Sequence, residues 1–429
     1  MDVPPARVAA SALVLPALAA ASAAIRYQFG PGISVCLVVA LVLAPVWLGA
    51  LRHYRFARSL LVLALLAIAW GTTVSLLDAA RPFSSTLLIA QTSQLLSLVG
   101  AAGLLLWARS SIGVGWTVAA FGFGALANVV LTGGNVANLW KYSLAIPIVL
   151  LVLGISMHWR SRLLPVVLLT VFAGISAVSD SRSMTSFLLL AAAAMLWQAS
   201  VPRIGDRARP WQMLLLLAVA GLAAFSLLQA LILDGVLGEA AAQRSAAQID
   251  TSGSLITGGR PELGAGLALI GENPLGYGSG TVPVSSDVWL AKSGMDTLGY
   301  NPDNGYVEVF MFGGHYEVHS VLGDLWIWFG PLGAVVAVLI VVVGAIGTAS
   351  RMSTRTASAA LVLLAVLGAW DTLFSPMLTS YRTLALLFAV AALPMIATTA
   401  NQQLSPASPT SRRSAAPGSG SSRPRSGRP

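Results

Sequence analysis

Charged residues are scarce in this sequence: Asp, Glu, Lys and Arg make up only 10% of its 429 residues, whereas 56% of the residues are hydrophobic. A soluble domain carries about 25% charged residues, so this chain cannot cover a water-facing surface. Its apolar runs are continuous and roughly 20 residues long, which suits helices that cross a bilayer. Barrel strands would alternate apolar and polar residues, a pattern that the sequence lacks. We therefore predict an all-α integral membrane protein.

Cysteine and metal-ligand motifs are also lacking. Cys36 is the single cysteine, which excludes an intrachain disulfide. The sequence has no His, Cys, Asp and Glu residues at metal-ligand spacing, no Asp-x-Asp pair, no P-loop and no Gly-x-Gly-x-x-Gly fingerprint. These absences disfavour nucleotide-driven transport and metal-dependent transfer from nucleotide sugars. We expect neither a metal nor another cofactor.

Twelve apolar segments predict about twelve transmembrane helices, nine in residues 1–233 and three in residues 319–399. Between them lies a long extracytoplasmic loop, residues 234–318, and loops of this length are usually functional or disordered. Within the loop, residues 262–270 predict a short helix, and Phe329-Gly330-Pro331 predicts a kink in the tenth span. The spans are expected at residues 8–25, 33–51, 59–77, 87–107, 112–131, 144–158, 163–178, 184–201, 211–233, 319–350, 357–377 and 381–399.

The distribution of basic residues predicts the orientation. With a cytoplasmic N-terminus, most of the 25 Lys and Arg residues fall inside and almost all acidic residues fall outside. Both termini are then cytoplasmic, and we expect the protein in a bacterial cytoplasmic membrane. Residues 400–429 are rich in Ser, Pro, Gly and Arg, which predicts a disordered basic tail. The segment Ala21-Ser22-Ala23 resembles a signal-peptide cleavage site, but the length of the first span favours its retention.

Three residues on the predicted outer side carry the functional hypothesis. Arg182 lies in a very short turn between two spans, Arg260 lies early in the long loop, and His319 lies where that loop re-enters the membrane. Guanidinium groups bind phosphates bidentately and stay charged at any relevant pH. Histidine is the natural proton acceptor near neutral pH. The set suits metal-independent glycosyl transfer, in which Arg182 and Arg260 hold a pyrophosphate and His319 deprotonates the acceptor hydroxyl.

Other readings of these residues stay open. Arg182 could anchor its helix at the interface, and His319 could simply bond Glu317 at a helix start. Arg260 could pair with a loop carboxylate, either Glu262 or Glu272. His315 competes with His319 as the base, and two more outward cations, Arg81 and Lys141, could steer anionic donors. The glycine-rich residues 272–280 are expected to let backbone approach a ligand closely.

The motifs together resemble those of the O-antigen ligase and O-antigen polymerase superfamily of bacterial cell-envelope enzymes. The resemblance covers about residues 139–333 and the overall topology. It implies a GT-C-like fold of the O-antigen ligase type, a polyprenyl-pyrophosphate donor of the undecaprenyl kind, inversion at the anomeric carbon, and His319 as base. Ser320 stands where Asn is more usual among ligases. The matching residues are Ser181-Arg182, Arg260, Asn273 to Gly278, His319-Ser320 and Gly330-Pro331-Leu332-Gly333.

The predicted function is therefore transfer or polymerisation of a glycan on the outer face of the membrane. The alternatives are a transporter or flippase of lipid-linked saccharides and a scaffold for envelope assembly. Transporters tend to have two related halves and broken midplane helices, and the sequence shows no internal repeat, which favours the enzyme. The expected partners are the lipid-linked donor, a glycan, lipid or protein acceptor, and membrane lipids, but no nucleic acid.

Overall fold

The computed structural model describes residues 10–200 and 260–395, together with five single positions between these ranges. The ordered elements of these residues are helical, apart from one small hairpin formed by β1 (Gln28–Gly30) and β2 (Ile33–Ser34). Shorter turns of helix lie at Val136–Asn138, Trp140–Leu144 and Val307–Met311. The α-helices are α1 (Ala10–Ser22), α2 (Val35–Val42), α3 (Ala44–Leu51), α4 (Ala57–Leu77), α5 (Ser85–Thr132), α6 (Ala145–Ser156), α7 (Leu164–Val178), α8 (Arg182–Ser200), α9 (Glu262–Glu272), α10 (Ser285–Asp296), α11 (Val321–Ser353), α12 (Ala359–Phe374) and α13 (Met377–Ala391).

The predicted all-α membrane class is confirmed. Helices α4, α5, α8 and α11 are long and apolar enough to cross a membrane, and shorter apolar helices accompany them. Eleven of the twelve predicted spans coincide with these helices or with α1 to α3. Apart from the five single positions, the ninth span, residues 211–233, lies outside the described residues, as do residues 234–259 of the long loop and the basic tail at 400–429.

Helix α5 contains two of the predicted spans, joined at Gly113. Gly113 has a φ of +80°, a backbone conformation that glycine adopts without steric cost. Ser84, just before α5, donates its backbone N–H to the carbonyl of Gly280 in the long loop. Arg109, near Gly113, contacts the C-terminal end of α13, and Asn128 lies near the start of α13. The two halves of α5 therefore run in opposite directions, as the predicted spans 87–107 and 112–131 require.

The second predicted span, residues 33–51, is broken into α2 and α3. The break falls at Leu43, directly before Ala44-Pro45. Proline lacks a backbone N–H and its ring collides with the preceding turn, so it begins a helix but does not continue one. The first residues of the span form β2 instead of helix.

Helix α11 is kinked at Gly330, as predicted from the Gly-Pro sequence. Gly330 has a φ of +64°. The kink brings the helix against the glycine-rich loop: Tyr277 donates its backbone N–H to the carbonyl of Ile327 at 2.7 Å. A Cβ on Gly276 would lie 2.7 Å from the carbonyl oxygen of Trp326, and one on Gly278 would meet the backbone of α4. The expectation of a ligand-binding turn is therefore corrected, because these glycines permit close packing of the loop on α4 and α11.

Helix α13 begins at Met377, four residues earlier than the predicted start of the last span. Pro376 precedes it, and the backbone N–H of Met377 donates to Oδ2 of Asp324 at 2.9 Å. The other carboxylate oxygen of Asp324 accepts from the backbone N–H of Val318. This earlier start places Arg382 in the second turn of α13, where it is buried, whereas the predicted span 381–399 would put it at the edge of the helix.

The described helices end in two groups, which define the basic end and the loop end of the molecule. At the basic end, Arg109 and Arg351 donate to the last carbonyls of α13, and the backbone N–H of Arg55 donates to the carbonyl of Leu393. At the loop end, α9 and α10 pack closely through Gly264 and Gly294. The predicted short helix at 262–270 is confirmed, and it extends to Glu272.

Candidate functional site

Arg182 is the first residue of α8 and follows a tight turn at the loop end. Asp180, with a φ of +50°, makes this turn. The Nε atom of Arg182 lies 3.7 Å from one carboxylate oxygen of Asp180, and the Nζ atom of Lys141 lies 3.9 Å from the other. Both distances exceed a hydrogen bond. Two cations thus share one exposed carboxylate, and their donors remain available to an anion.

Arg260 lies over the indole ring of Trp370 on α12, with its guanidinium carbon 5.5 Å from the ring centroid. In the described part of the chain no carboxylate lies within 4 Å of its guanidinium, so it forms no salt bridge with Glu262 or Glu272 there. Trp370 also contacts Phe187, with ring centroids 5.4 Å apart. Phe187 lies on α8, the helix that Arg182 begins, so the Phe187–Trp370 contact joins that helix to the ring beneath Arg260.

His319 stands at the start of α11 in a strained backbone conformation. Its φ is +51°, and Ser320 after it caps the helix by accepting the N–H of Gly323. Non-glycine residues held at positive φ cluster at functional sites, where the surrounding structure pays for the strain. The Nε2 atom lies 3.5 Å from Oε1 of Glu317. The Nδ1 atom is buried and has no hydrogen-bond partner among the described residues.

Tyr306 and Glu262 connect His319 to the Arg260 segment. The phenol ring of Tyr306 stacks on the imidazole of His319 with centroids 6.1 Å apart. Its hydroxyl donates to Oε1 of Glu262 at 2.7 Å, and Glu262 lies two residues beyond Arg260. Burial, and then the bond to Glu262, raise the pKa of Tyr306. The hydroxyl therefore stays protonated and keeps the contact between the two segments.

His315 lies close to the same carboxylate as His319. Its Nε2 atom is 3.8 Å from Oε2 of Glu317, and its side chain is more exposed, at 39% against 21% for His319. Each imidazole therefore lies beside a different oxygen of the Glu317 carboxylate. Tyr306 supports the ring of His319, and no ring contact of this kind is made by His315 in the residues that the structure describes.

Arg81 is occupied by two carboxylates. Its Nε and Nη2 atoms donate to the two oxygens of Asp287 at 2.9 and 2.8 Å, and its Nη1 atom donates to Asp78 at 3.1 Å. Tyr316 also donates to Asp287, at 2.6 Å. Burial alone would raise the pKa of Asp287, but the bonds from Arg81 and Tyr316 lower it. Arg81 thus joins the loop at α10 to the segment after α4.

The sequence analysis missed how Tyr306, Trp370 and Phe187 contact the site. All three reach it through contacts between distant segments, so no local pattern marks those contacts. Glu262 was considered only as an ion-pair partner of Arg260, whereas in the structure it accepts the hydroxyl of Tyr306. Within residues 10–200 and 260–395, no group of three or more His, Cys, Asp or Glu side chains is placed to hold a metal ion.

The structure thus links the Arg260 segment to His319 through Glu262 and Tyr306. Arg182 lies on α8, the helix whose Phe187 contacts the Trp370 ring beneath Arg260, and its own side chain lies beside Asp180. Lys141 joins this set at Asp180, and Arg81 lies in a separate ion-pair cluster. No protein-family model matches the chain, and no curated protein is significantly similar to it in sequence.

Proposed function

We propose that the chain is a metal-independent glycosyltransferase of the O-antigen ligase or polymerase type. It would transfer a glycan, or add repeat units, from a polyprenyl pyrophosphate to an acceptor hydroxyl at the outer face of a bacterial cytoplasmic membrane. The observation that carries the proposal is the link from the Arg260 segment through Glu262 and Tyr306 to His319. Arg182 begins α8, and Phe187 of the same helix contacts Trp370, over which Arg260 lies. The two arginines keep donors free for an anion, and the histidine is held in a strained conformation beside Glu317.

In the proposed reaction the acceptor oxygen attacks the anomeric carbon of the donor. His319 takes the hydroxyl proton, the new C–O bond forms, and the bond from the anomeric carbon to the phosphate oxygen breaks. The electron pair of that bond leaves with the pyrophosphate, where Arg182 and Arg260 neutralise the growing charge. The Glu317 carboxylate stabilises the imidazolium that forms, as a third group does in hydrolase triads. Tyr306 is a positioning residue, because its ring stacks on the imidazole and its hydroxyl bonds Glu262.

The proposed topology has about twelve spans in a GT-C-like arrangement. Four arginines at the basic end, namely Arg55, Arg58, Arg109 and Arg351, support a cytoplasmic position for that end by the positive-inside rule. The loop end, with the candidate site, then faces outward. A lipid-linked pyrophosphate would present its headgroup at this interface while its chain stays in the bilayer.

The test is a cell-surface glycan profile of a strain that carries His319→Ala at wild-type expression. We expect loss of the attached or lengthened glycan, because the variant removes the group that is proposed to take the acceptor proton. His315→Ala is the matched control, since it removes an imidazole from the other side of Glu317 and should leave the profile unchanged. An unchanged glycan profile for His319→Ala would contradict the proposed glycosyltransferase function.

A transporter of lipid-linked saccharides is the second candidate, and the break in α11 favours it. Transporter sites often lie beside discontinuous helices, and α11 is interrupted at Gly330. The two functions differ in what purified protein does without a membrane. In detergent, the enzyme should release polyprenyl pyrophosphate from its donor when an acceptor is present, whereas a transporter leaves the donor intact.

A further inference from the structure

A cavity of about 920 Å³ opens at the loop end, beside the candidate site. Its walls come from the residues after α1, the second half of α5, the start of α6 and the start of α13. Three cationic side chains line it, Arg26, Lys141 and Arg382, and we call it the three-cation cavity. Hydroxyl and amide groups of Asn128, Thr379 and Thr383 are among the other polar groups of the wall.

Arg382 is the deepest of the three cations and lacks a counter-ion. Its side chain is buried, with the residue only 8% exposed. Its guanidinium donates at long distances to the carbonyls of Ala24, at 3.3 Å, and Thr379, at 3.4 Å. Among the described residues no carboxylate lies within 4 Å of it. A buried charge without a partner is costly, and in membrane proteins such a residue defaults to a functional site.

The other two cations increase the unbalanced charge. Arg26 stands exposed at the mouth of the cavity, close enough for its charge to act on Arg382. Its side chain makes no hydrogen bond within the described residues, although its backbone N–H donates to Asn128. Lys141 has only Asp180, at 3.9 Å, which it shares with Arg182. Three positive groups therefore line one cavity, and no carboxylate lines it among the described residues. The nearest carboxylates are Asp180, which is 3.9 Å from Lys141, and Asp371, which accepts a hydrogen bond from Ser375 in the wall. Neither forms an ion pair with Arg26 or Arg382, so an anion would balance the remaining positive charge.

We propose that Arg26, Lys141 and Arg382 form a second anion site, which binds the phosphate or diphosphate group of a membrane-borne ligand. It is distinct from the Arg182 and Arg260 site but adjoins it on two sides. Lys141 meets Arg182 through Asp180, and Ser375 in the cavity wall donates to Asp371, the neighbour of Trp370. The anion binding itself does not depend on the proposed glycosyl transfer.

The shape and position of the cavity favour a phosphate-bearing headgroup. The volume exceeds what a single phosphate fills, and falls within the range of ligand pockets, about 300–1,000 Å³. Apolar residues of α5 and α6, among them Phe121, Val129 and Ile146, form the rest of the wall. A diphosphate with an isoprenoid chain would set its charges at Arg382 and its chain along these residues.

The experiment uses the full-length protein in detergent, titrated by calorimetry with inorganic diphosphate and with farnesyl diphosphate. The background is the double variant Arg182→Gln, Arg260→Gln, so that the proposed donor site does not contribute. Binding of either probe that weakens roughly tenfold to a hundredfold with Arg382→Gln supports the site, as expected for charge-assisted hydrogen bonds. Tighter binding of farnesyl diphosphate identifies a lipid headgroup as the ligand, and equal binding identifies the free anion.

Arg382→Gln could misfold, because Arg382 also bonds the carbonyl of Ala24 and its loss could loosen α1. Arg26→Gln is therefore measured as a second variant that tests the same site. Arg26 and Lys141 should each weaken binding severalfold when changed to Gln. Lys292→Gln is the matched control: this lysine is at the same end but pairs with Asp303 and Glu308 outside the cavity, and binding should stay unchanged. The proposal is overturned if neither probe binds in the double-variant background. It is also overturned if binding stays unchanged after both Arg26→Gln and Arg382→Gln.

The outcome is separable from that of the proposed function. If His319→Ala leaves the glycan profile intact while Arg382→Gln abolishes diphosphate binding, the glycosyltransferase is wrong and the anion site stands. If His319→Ala removes the glycan while the cavity variants bind normally, the anion site is wrong and the enzyme stands.

Discussion

Tyr306 stacks on His319 with ring centroids 6.1 Å apart, and its hydroxyl is bonded to Glu262 at 2.7 Å. The Tyr306 side chain therefore contacts the face of the imidazole and, through the Glu262 carboxylate, the segment that carries Arg260. The second oxygen of Glu262 is buried without a partner among the described residues. Glu262 thus depends on Tyr306 for its only side-chain bond in that part of the chain.

Tyr306→Phe should lower the yield of surface glycan to roughly a tenth at equal expression. The ring stays in place, but Glu262 loses its donor, and an unsatisfied buried acceptor costs about 1–3 kcal/mol. Tyr306→Ala should lower the yield further, because His319 also loses its stacked neighbour. The measurement is glycan per cell against protein per cell. Equal yields for Tyr306→Phe and wild type would show that the hydroxyl positions nothing.

Asp287→Asn should destabilise the protein by about 3 kcal/mol, because the half-buried Arg81 then keeps Asp78 as its one charged partner and faces a neutral amide in place of Asp287. The change in thermal midpoint, measured in detergent, checks this. Asp303→Asn is the control: Asp303 is 73% exposed in its pair with Lys292, and exposed pairs contribute about 0–1 kcal/mol. Equal midpoints for the two variants would contradict a structural role of the Arg81 cluster.

The same cluster predicts a loss of stability in acid. The pKa of Asp287 in the folded protein lies below its ordinary value of 3.8, because the bonds from Arg81 and Tyr316 outweigh burial. A carboxyl with a lowered folded pKa stabilises the fold above its unfolded pKa, and this stability is lost as the pH falls through the folded value. The wild-type midpoint should therefore fall more steeply below about pH 4 than that of Asp287→Asn. If the thermal midpoints of the wild type and of Asp287→Asn fall in parallel as the pH is lowered, Asp287 is not the source of the acid sensitivity.

Several parts of this architecture are predictable from sequence because they depend on local chemistry. The kink at Gly330 follows from the Gly-Pro sequence, and α9 follows from a short apolar stretch in a polar loop. The site is only partly predictable: Arg182, Arg260 and His319 stand out as polar exceptions, but the rings that connect them do not. Trp370 lies 110 positions after Arg260, and no local pattern reports such a contact.

The start of the last helix shows why Arg382 was misplaced. Hydropathy excludes Thr379 and Ser380, so the predicted span begins at Tyr381 and Arg382 falls at its edge. In the structure the hydroxyls of these residues bond within the first turns, with Thr379 donating to the carbonyl of Pro376. Such bonds satisfy polar groups inside an apolar helix, which lets α13 begin earlier and buries Arg382.

Gly278→Ala should prevent the loop from docking, whereas Gly305→Ala should not. Both glycines have positive φ, +99° and +77°, so each substitution carries a backbone cost of about 1 kcal/mol. A Cβ on Gly278 would also collide with the backbone of Ser75, while one on Gly305 meets no atom within 4 Å. Limited proteolysis of the loop should be faster than in the wild type for Gly278→Ala but not for Gly305→Ala. Similar rates for both variants would contradict the close packing on α4.

Trp370→Leu should weaken diphosphate binding at Arg260 by roughly threefold to tenfold. The guanidinium carbon lies 5.5 Å from the indole centroid, a cation–π contact that contributes about 0.5–2 kcal/mol. Trp370→Phe retains a ring and should lose less. The titration uses farnesyl diphosphate in an Arg26→Gln, Arg382→Gln background, so that the three-cation cavity does not contribute.

A double-mutant cycle then separates positioning from mere packing. If Trp370 acts by holding Arg260, Trp370→Leu adds no further loss once Arg260 is Gln, because the group that it positions is gone. If Trp370 only packs α12 against α8 through Phe187, the two losses add. Salt gives a second distinction, since removal of Arg260 should flatten the dependence of binding on ionic strength and removal of the indole should not. Additive losses would show that the indole supports the helices and leaves Arg260 unaffected.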